Sequence, residues 1–399
     1  MIIEGEKTSA EIFTDTIEDA ALDWVKELCN HPAMEGVPIV QMPDVHAGQG
    51  CNVGTAYPIG AYVNPDHVGV DIGCMVSMHR LSCNIDYQDF ELLDHRVRET
   101  IPMGSEICAK NSLNEKELFK FMNSQYQRAR SCAPDLINDV PRVDARFISD
   151  FCRRIKLQEG IFYKSLGSLG GGNHFIEYGE DSESGAGWLT IHCGSRNLGV
   201  KVANHWHNIA QNPKRAKYVG YLWGDSMKGY FSDMVIAQAY ALYNHMIIRD
   251  RIFMILRKMC KAKCTESIFT THNYIDVTDE RPILRKGAID ASDGRKIVIP
   301  LNMRDGIAIC QGKGNDRWLN TAPHGAGRIM SRAQARKNIS LEDFQVSMQG
   351  VFSTSVCCGT IDESPMAYKP SDEILSLISP TVEIISMVKP KLNIKDRGE

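Results

Sequence analysis

The chain is organised around the stretch Gly69-Val70-Asp71-Ile72-Gly73-Cys74. Val70 and Ile72 are apolar and are expected to anchor the segment in a core. Asp71 and Cys74 carry its chemistry, although a flat strand would point positions three apart to opposite faces. Gly73 permits a sharp turn just before Cys74, so the two side chains can converge. A converging carboxylate and thiolate suit Zn²⁺ or Mn²⁺, whereas the alternative is a turn Asp beside a buried, unreactive Cys.

The composition indicates a large protein that is slightly acidic and rich in unpaired thiols. The 399 residues carry a net charge of −4, so any site for nucleic acid must be a local patch. The 13 cysteines are odd in number and contain no CxxC pair, which is typical of reduced thiols in the cytosol. No targeting segment and no membrane-spanning apolar run is evident. We therefore expect a cytoplasmic protein that does not contact a membrane.

Apolar periodicity predicts a mixed α/β (α+β) fold with a mostly antiparallel core. Helical spacing is found over 11–29, 86–101, 113–130, 142–157, 200–211 and 231–261. Strand-like runs cover 37–40, 55–59, 61–63, 188–192, 268–274 and 296–300.

Two further stretches combine glycines with polar side chains. Asp44 and His46 alternate, so on an extended segment they share a face and suit a metal or a proton relay. A loop Asp and a structural His are the alternative. The four glycines of 165–173 would bring backbone amides close to an anion, and His174 follows them directly. The alternative is a glycine-rich turn before an ordinary strand.

Other histidines and basic residues lie at the ends of predicted strands or in turns. His192 ends one strand-like run, and His272 lies near the end of another; for His272 taken alone a core histidine is the plainer interpretation. Arg196 lies in a small Gly/Ser-rich turn that suits phosphate or carboxylate recognition, and Lys286 adds positive charge beside another turn. A surface ion pair is the alternative for Arg196.

His324 precedes two glycines and a predicted helix that carries arginines. This order would place the imidazole beside helix N-terminal amides and guanidinium groups, which is a good environment for a phosphoryl group. Neutral His can act as a nucleophile toward phosphorus. The alternatives are a capping His in a tight turn and arginines on a solvated helix face.

Eight segments, taken together, resemble those of the RtcB family of RNA ligases. In chain order they are MPDVHAGQG, GVDIGC, GGGNHFIE, HCGSRNLG, THNY, RKGA, HGAGRIMSR and DESPMAYK. The resemblance implies one catalytic domain over 1–399, with a central cleft and helical, insertion-like regions at about 86–160 and about 200–262. It also implies a ligase that depends on GTP and two Mn²⁺ ions and acts in RNA repair or tRNA splicing. Its partners would be RNA with 3′-phosphate or 2′,3′-cyclic phosphate and 5′-hydroxyl ends, with an archease-like activator as a further candidate.

The resemblance also assigns roles to individual residues. The metal ligands match Asp71, Cys74, His174, His192 and His272, and the guanylylated nucleophile matches His324. Nucleotide contacts match Asn173, Glu177, Asn302, Ala326, Gly327, Tyr368 and Lys395; RNA or phosphate contacts match Arg196, Lys286, Arg328 and Arg332. Asp44 and His46 remain the candidate proton relay. By this resemblance GMP would pass from His324 to the RNA 3′-phosphate, and the 5′-hydroxyl would then displace it. Glu177 has the acceptors to read the donor edge of guanine.

The chain also departs from the family pattern. Leu301-Asn302-Met303-Arg304 replaces a Gly-Ser-Met-Gly loop that is common in the family, Pro323 replaces a Cys or Ser, and four residues follow Lys395. The altered loop suggests the hypothesis of a divergent branch with a specialised RNA target, with Arg304 as a phosphate contact. Two other functions stay open: a metal-dependent cyclic phosphodiesterase that needs neither His324 nor GTP, and a non-catalytic RNA-end binding protein.

Overall fold

The computed structural model describes residues 1–110, 113–214, 217–278 and 281–398. The strands are β1 (Ile2–Glu4), β2 (Ser9–Ile12), β3 (Ile39–His46), β4 (Val53–Pro58), β5 (Met75–Leu81), β6 (Phe175–Asp181), β7 (Gly187–Cys193), β8 (Cys264–Thr271), β9 (Asn273–Ile275), β10 (Ile283–Lys286), β11 (Ala288–Asp290), β12 (Lys296–Asn302), β13 (Gly306–Gly312), β14 (Thr321–Pro323) and β15 (Val382–Ile394). The helices are α1 (Asp19–Asn30), α2 (Phe90–Thr100), α3 (Glu115–Cys132), α4 (Ala145–Arg154), α5 (Glu159–Lys164), α6 (Arg196–Ala210), α7 (Gly224–Cys260), α8 (Arg332–Asn338), α9 (Leu341–Ser347) and α10 (Ser371–Leu377).

A seven-stranded sheet forms the centre of the fold. Its strand order is β12-β13-β15-β6-β7-β5-β8, and each neighbouring pair is antiparallel. A six-stranded sheet, β1-β2-β3-β4-β10-β9, includes one parallel pair, β2 with β3, and β11 pairs with β14. The mixed α/β prediction with a mostly antiparallel core is therefore confirmed.

The long helix α7 holds the glycine-rich loop against the central sheet. Its 37 residues would extend about 55 Å at the usual helical rise, and many of its side chains are buried. Asn244 of α7 accepts a hydrogen bond from the Gly167 amide at 2.6 Å and donates to the Ser168 and Gly194 carbonyls at 3.1 and 3.3 Å. One buried side chain thereby fixes the loops on either side of β6 and β7.

The predicted helix over 11–29 is wrong in its first part. Ser9–Ile12 forms β2, because Ala10 and Ile12 are buried while the backbone pairs with both β1 and β3. The helix begins only at Asp19. The predicted strand at 61–63 is also wrong, since only Val63 makes a bridge, to Leu222. No helix of the described ranges is long and apolar enough to cross a membrane.

Asp233 of α7 joins three helices through one buried carboxylate. It accepts hydrogen bonds from Arg154 of α4 at 2.6 and 2.7 Å and from the Trp206 indole of α6 at 2.7 Å. We expect Asp233→Ala to lower the free energy of unfolding by about 3 kcal/mol, because it leaves a buried indole donor and a guanidinium without their acceptor. Urea unfolding of the variant measures this change.

The matched control is Asp150→Ala, which removes the exposed partner of Arg153 on α4. This exposed pair should contribute less than about 1 kcal/mol. Equal effects of the two substitutions would contradict the structural role of Asp233.

Candidate active site and metal centre

The ends of three paired strands bring the predicted metal ligands together. Met75, the first residue of β5, is opposite Cys193 of β7 and Thr271 of β8. Cys74 directly precedes Met75, so it meets His192 at the end of β7 and His272 just after β8. The His272 amide donates to the Cys74 carbonyl at 3.0 Å. Antiparallel pairing thus joins residues nearly 200 positions apart in the sequence.

The sharp turn predicted at Gly73 is present. Gly73 has a φ of 75°, and the Cys74 amide donates to the Asp71 carbonyl at 3.2 Å. Ile72 is fully buried, as expected, but Val70 is 44% exposed, so its predicted place in the core is wrong. Of the two apolar residues of the segment, the turn leaves Ile72 packed inward and Val70 facing solvent. Asp71 and Cys74 consequently converge, as the spacing with a glycine turn predicted.

Two groups of ligand atoms share the Cys74 sulfur. Asp71, Cys74 and His174 form one group and Cys74, His192 and His272 the other; within each, the ligand atoms lie within 4.8 Å of one another. The Cys74 Sγ lies 3.5 Å from His174 Nε2 and 3.3 Å from His192 Nε2. His192 Nε2 is 3.3 Å from His272 Nε2, and His174 Nε2 is 3.0 Å from an Asp71 oxygen.

Backbone contacts orient two of these imidazoles for metal binding. His174 Nδ1 lies 3.0 Å from the Leu169 carbonyl, and His192 Nδ1 lies 3.0 Å from the Asn173 carbonyl. Each carbonyl accepts a hydrogen bond from Nδ1, which leaves Nε2 as the ligand atom. The Ser195 amide donates to Asp71 at 3.0 Å and orients the carboxylate in the same way. The donor set and its orientation therefore fit divalent metal ions.

Burial and contacts within the cluster shift the pKa values of four of the candidate ligands. Burial, with the nearby His174, lowers the pKa of His192 well below its usual value, and burial with His324 does the same for His272. Although burial opposes its ionisation, hydrogen bonding with His174 holds the pKa of Asp71 below its usual range. Burial and the Asp71 carboxylate raise the pKa of the Cys74 thiol. A bound cation would reverse this last effect, because coordination favours the thiolate.

A cavity of about 500 Å³ opens beside the ligands, within the usual size range of small-molecule sites. Sixteen of the residues predicted from the sequence line it: His46, Asp71, Cys74, Asn173, Glu177, His192, His272, Lys286, Asn302, His324, Ala326, Gly327, Arg328, Arg332, Tyr368 and Lys395. His174 and Asp44 lie directly behind this lining, in contact with Asp71 and His324 respectively.

Asp44 holds the imidazole of His324. Asp44 is fully buried, and one of its oxygens lies 2.8 Å from His324 Nδ1. His46 Nδ1 lies 2.8 Å from the Asp44 carbonyl, so the two residues predicted as a proton relay are joined through the backbone of Asp44. The His324 ring centroid is 4.9 Å from that of His272. The free nitrogen of His324 is therefore Nε2, on a ring adjacent to the ligand cluster.

Glu363 pairs with the basic side chains of the cavity. Its carboxylate accepts from Lys395 Nζ at 2.8 Å and from the Tyr368 hydroxyl at 3.0 Å, and it pairs with Arg332. Arg328 lies 3.6 Å away and stacks against the Tyr368 ring. Although burial alone would raise it, Lys395 and Arg332 hold the pKa of the Glu363 carboxyl at about 2. The Glu363 carboxylate therefore stays ionised and keeps these basic side chains beside the cavity.

The helix predicted just after His324 begins later than expected. Helix α8 starts at Arg332, with the Ser331 hydroxyl as its N-cap. Gly327 has a φ of 75°, and a Cβ there would clash with the Asp44 backbone, so the chain turns toward Asp44 before the helix forms. The prediction that His324 lies beside helix N-terminal amides is thus wrong, and Arg328 lies in a loop.

Two predicted phosphate contacts are found outside the cavity lining. Arg196 donates to the Ser168 hydroxyl at 3.1 Å and to the Gly104 carbonyl at 2.6 Å, so it packs on the glycine-rich loop. Arg304 pairs with Asp305 at 2.7 Å in the turn between β12 and β13. Asp305 also accepts from Asn302, which does line the cavity.

Comparison with known proteins places this arrangement in a family. The model of the family described as "tRNA-splicing ligase RtcB" matches residues 25–396. The chain belongs to the RtcB family. It is 29% identical to the RNA-splicing ligase RtcB of Escherichia coli K12, over 85% of each chain. It is 26% identical to the tRNA-splicing ligase RtcB of Nanoarchaeum equitans, over 84% of this chain and 83% of that protein. The RNA-splicing ligase RtcB homolog 2 of Entamoeba dispar is 26% identical, over 79% and 72%.

The sequence analysis assigned no role to several residues of this RtcB-family site, among them Glu363 and Asn393. Glu363 lay within the quoted segment DESPMAYK, where an acidic residue near Tyr368 was the available signal; its contacts with Lys395 and Arg332 arise only in the fold. Asn393 of β15 lines the cavity and donates to Glu177 at 2.7 Å. No local motif marked Asn393, because only its position opposite β6 brings it to the site.

Because Cys74 belongs to both ligand groups, its removal should weaken both. We expect Cys74→Ala to reduce Mn²⁺ affinity at both groups by more than about 100-fold, since loss of even an outer contact costs 10–100-fold. His272→Ala should weaken only the group that contains His192. Calorimetric titration with Mn²⁺ distinguishes the two results.

Cys310→Ala is the matched control, because Cys310 is an equally buried thiol on β13 outside both groups. Unchanged Mn²⁺ binding by the Cys74 variant would rule out the shared-ligand arrangement.

Proposed function

We propose that this protein is a GTP-dependent RNA ligase that joins RNA 3′-phosphate or 2′,3′-cyclic phosphate ends to 5′-hydroxyl ends. The observation that carries the proposal is the orientation of His324: Asp44 holds Nδ1, and Nε2 is left free on a ring that lines the cavity beside the metal ligands. Family membership and similarity to three RNA-splicing or tRNA-splicing ligases support the ligase reaction.

Asp71, Cys74 and His174 would hold one metal ion, and Cys74, His192 and His272 a second, with Mn²⁺ as the proposed ion. Bound there, the metals would supply positive charge that neutralises the phosphates. The ligands themselves fix the position of that charge. With metal bound, the His192 and His272 imidazoles would stay neutral and Cys74 would be held as the thiolate.

His324 is the proposed nucleophile toward the α-phosphorus of GTP. Its Nε2 would form the N–P bond while the bond to pyrophosphate breaks, giving a histidine-linked GMP. Asp44 would stabilise the positive charge that develops on the imidazole, as a buried carboxylate does in a catalytic triad. The GMP would then move to the RNA 3′-phosphate, and the 5′-hydroxyl of the second RNA end would displace it.

Arg328, Arg332 and Lys395 are proposed to bind the charged parts of the substrates. All three lie at the cavity, where Glu363 orients them. Arg328 and Arg332 would contact phosphate oxygens, and Lys395 with Asn173, Asn302, Ala326, Gly327 and Tyr368 would contact the nucleotide. Lys286, with its ammonium 3.3 Å from the Val68 carbonyl, and Arg196 on the glycine-rich loop would guide RNA toward the cavity.

The whole chain is proposed to act as one catalytic domain, because the cavity lining extends from Glu18 to Lys395. A cytoplasmic location is proposed because its cysteines are free thiols. An archease-like activator stays a prediction from the family resemblance.

The first test is covalent labelling with α-labelled GTP and Mn²⁺. The wild-type protein should form an acid-labile adduct, and His324→Ala should form none, since it lacks the nucleophile. The control is His95→Ala, because His95 is an exposed histidine on α2 that pairs only with Glu99 among the described residues. Asp44→Asn should fold but label more slowly. Absence of any adduct on folded, metal-loaded wild-type protein would rule out the ligase mechanism in favour of a cyclic phosphodiesterase or RNA-end binding protein.

Guanine binding should depend on pH through Glu177. Burial raises the pKa of the Glu177 carboxyl to about 8, while Asn393 and Lys395 act in the opposite direction. At pH 7 the carboxyl of the free protein is mostly protonated, but guanine needs the carboxylate as an acceptor. Binding must therefore release a proton, and the association constant for guanosine should rise by up to about tenfold per pH unit between pH 6 and 8 and level off above.

Calorimetric titration with guanosine measures the association constant at each pH. Guanosine has no phosphate group, so no phosphate ionisation contributes to the pH dependence. Glu177→Gln should bind more weakly and show no such rise. A pH-independent association constant for the wild-type protein would contradict the assigned role of Glu177.

A further inference from the structure

Asn393 and Glu177 form a directly opposed pair across two central strands. They are cross-strand partners in the antiparallel β15–β6 pairing, and they are 1% and 2% exposed. Opposed side chains of an antiparallel pair extend to the same face of the sheet. Here that face is the wall of the cavity, which both residues line.

The hydrogen bonds of this pair leave two acceptors open. Asn393 Nδ2 donates to Glu177 Oε2 at 2.7 Å. Glu177 Oε1 and Asn393 Oδ1 are both buried and have no hydrogen-bond partner among the described residues, and once the Glu177 carboxyl is ionised both atoms are acceptors. Buried polar atoms are nearly always paired, so two adjacent unpaired acceptors on a cavity wall indicate a ligand with two adjacent donors.

Guanine presents such donors on its Watson–Crick edge, namely N1–H and the 2-amino group. Adenine presents one amino donor beside the acceptor N1, and N1 would face the ionised Glu177 carboxylate, which is also an acceptor. Hypoxanthine keeps N1–H but lacks the 2-amino group. The pair therefore fits guanine better than either of the other purines.

We propose that Asn393 is a second specificity-determining residue for the guanine base, with Asn393 Oδ1 accepting from the 2-amino group and Glu177 Oε1 accepting from N1–H. This inference rests on the proposed function, since it requires that a guanine nucleotide occupies the cavity. The family resemblance assigned a nucleotide contact to Lys395, which directly follows β15, but none to Asn393 within the strand.

The test compares binding of GMP, IMP and AMP, which lack the pyrophosphate leaving group and so cannot label His324. Wild-type protein loaded with Mn²⁺ should bind GMP about tenfold more tightly than IMP, because IMP leaves one buried acceptor unpaired. AMP should bind more weakly than both when the titration is done above the pKa of the Glu177 carboxyl, where the carboxylate cannot donate to adenine N1. Calorimetric titration gives the three dissociation constants.

Asn393→Ala should reduce the preference for GMP over IMP to near one. GMP and IMP present the same N1–H to Glu177, so any disturbance of Glu177 in the variant cancels in this ratio. The preference for GMP over AMP should persist, since Glu177 still reads N1–H. The matched control is Lys391→Ala, because Lys391 lies on the same strand but points to Glu180 outside the cavity lining. It should keep the wild-type ratio.

Three results would overturn the proposal. Equal binding of GMP and IMP by wild-type protein would do so without any variant, even if Asn393→Ala failed to fold. Equal weakening of both nucleotides in Asn393→Ala, with the ratio unchanged, would show that Asn393 only positions Glu177. Wild-type protein that binds no GMP and forms no adduct with labelled GTP would overturn both this inference and the proposed function, whereas labelling without GMP–IMP discrimination would overturn this inference alone.

Discussion

The antiparallel pairing of β5 with β7 and β8 is the constraint on which the site depends. Cys74 enters β5 at the level where β7 and β8 end, so its sulfur is the one atom common to both ligand groups. Bringing these segments together requires closing long loops, and their closure entropy is offset by the paired backbone and the buried sheet. The candidate metal site is therefore formed only in the completed sheet.

A second constraint is the separation of charge within the cavity. On one side, burial lowers the pKa of His192 and of His272 and so favours the neutral imidazoles that metal coordination requires. On the other side, the Glu363 carboxylate stays ionised and holds Arg332 and Lys395 next to the open space. A buried carboxylate with several cationic partners can keep those cations desolvated and in fixed positions. The cavity is thus divided into a metal-binding side and a side with fixed positive charge.

His324, the proposed nucleophile, lies between the two sides. Asp44 lies near the end of β3 and His324 directly follows β14, so the two residues come from different sheets. The 2.8 Å contact of Asp44 with His324 Nδ1 fixes the orientation of the imidazole. Gly327 is required for the same approach, because a Cβ there would collide with the Asp44 backbone. That close packing also explains why the chain could not continue as a helix after His324, contrary to the sequence-based prediction.

The residue types of the site and much of the local structure could be predicted from neighbouring residues alone. Gly73 before Cys74 predicted the turn, and quoted motifs supplied the ligands and His324, because these features depend on neighbouring residues only. Periodicity failed where tertiary pairing decided, as at Ser9–Ile12, which joins a sheet, and at Val70, which faces solvent. Contacts between distant segments place Arg196 outside the cavity lining. They also pair Glu363 with the basic side chains and set Asn393 opposite Glu177. The reason is physical: strand register and burial arise from contacts between distant segments, and no local pattern encodes which residues will face each other across a sheet.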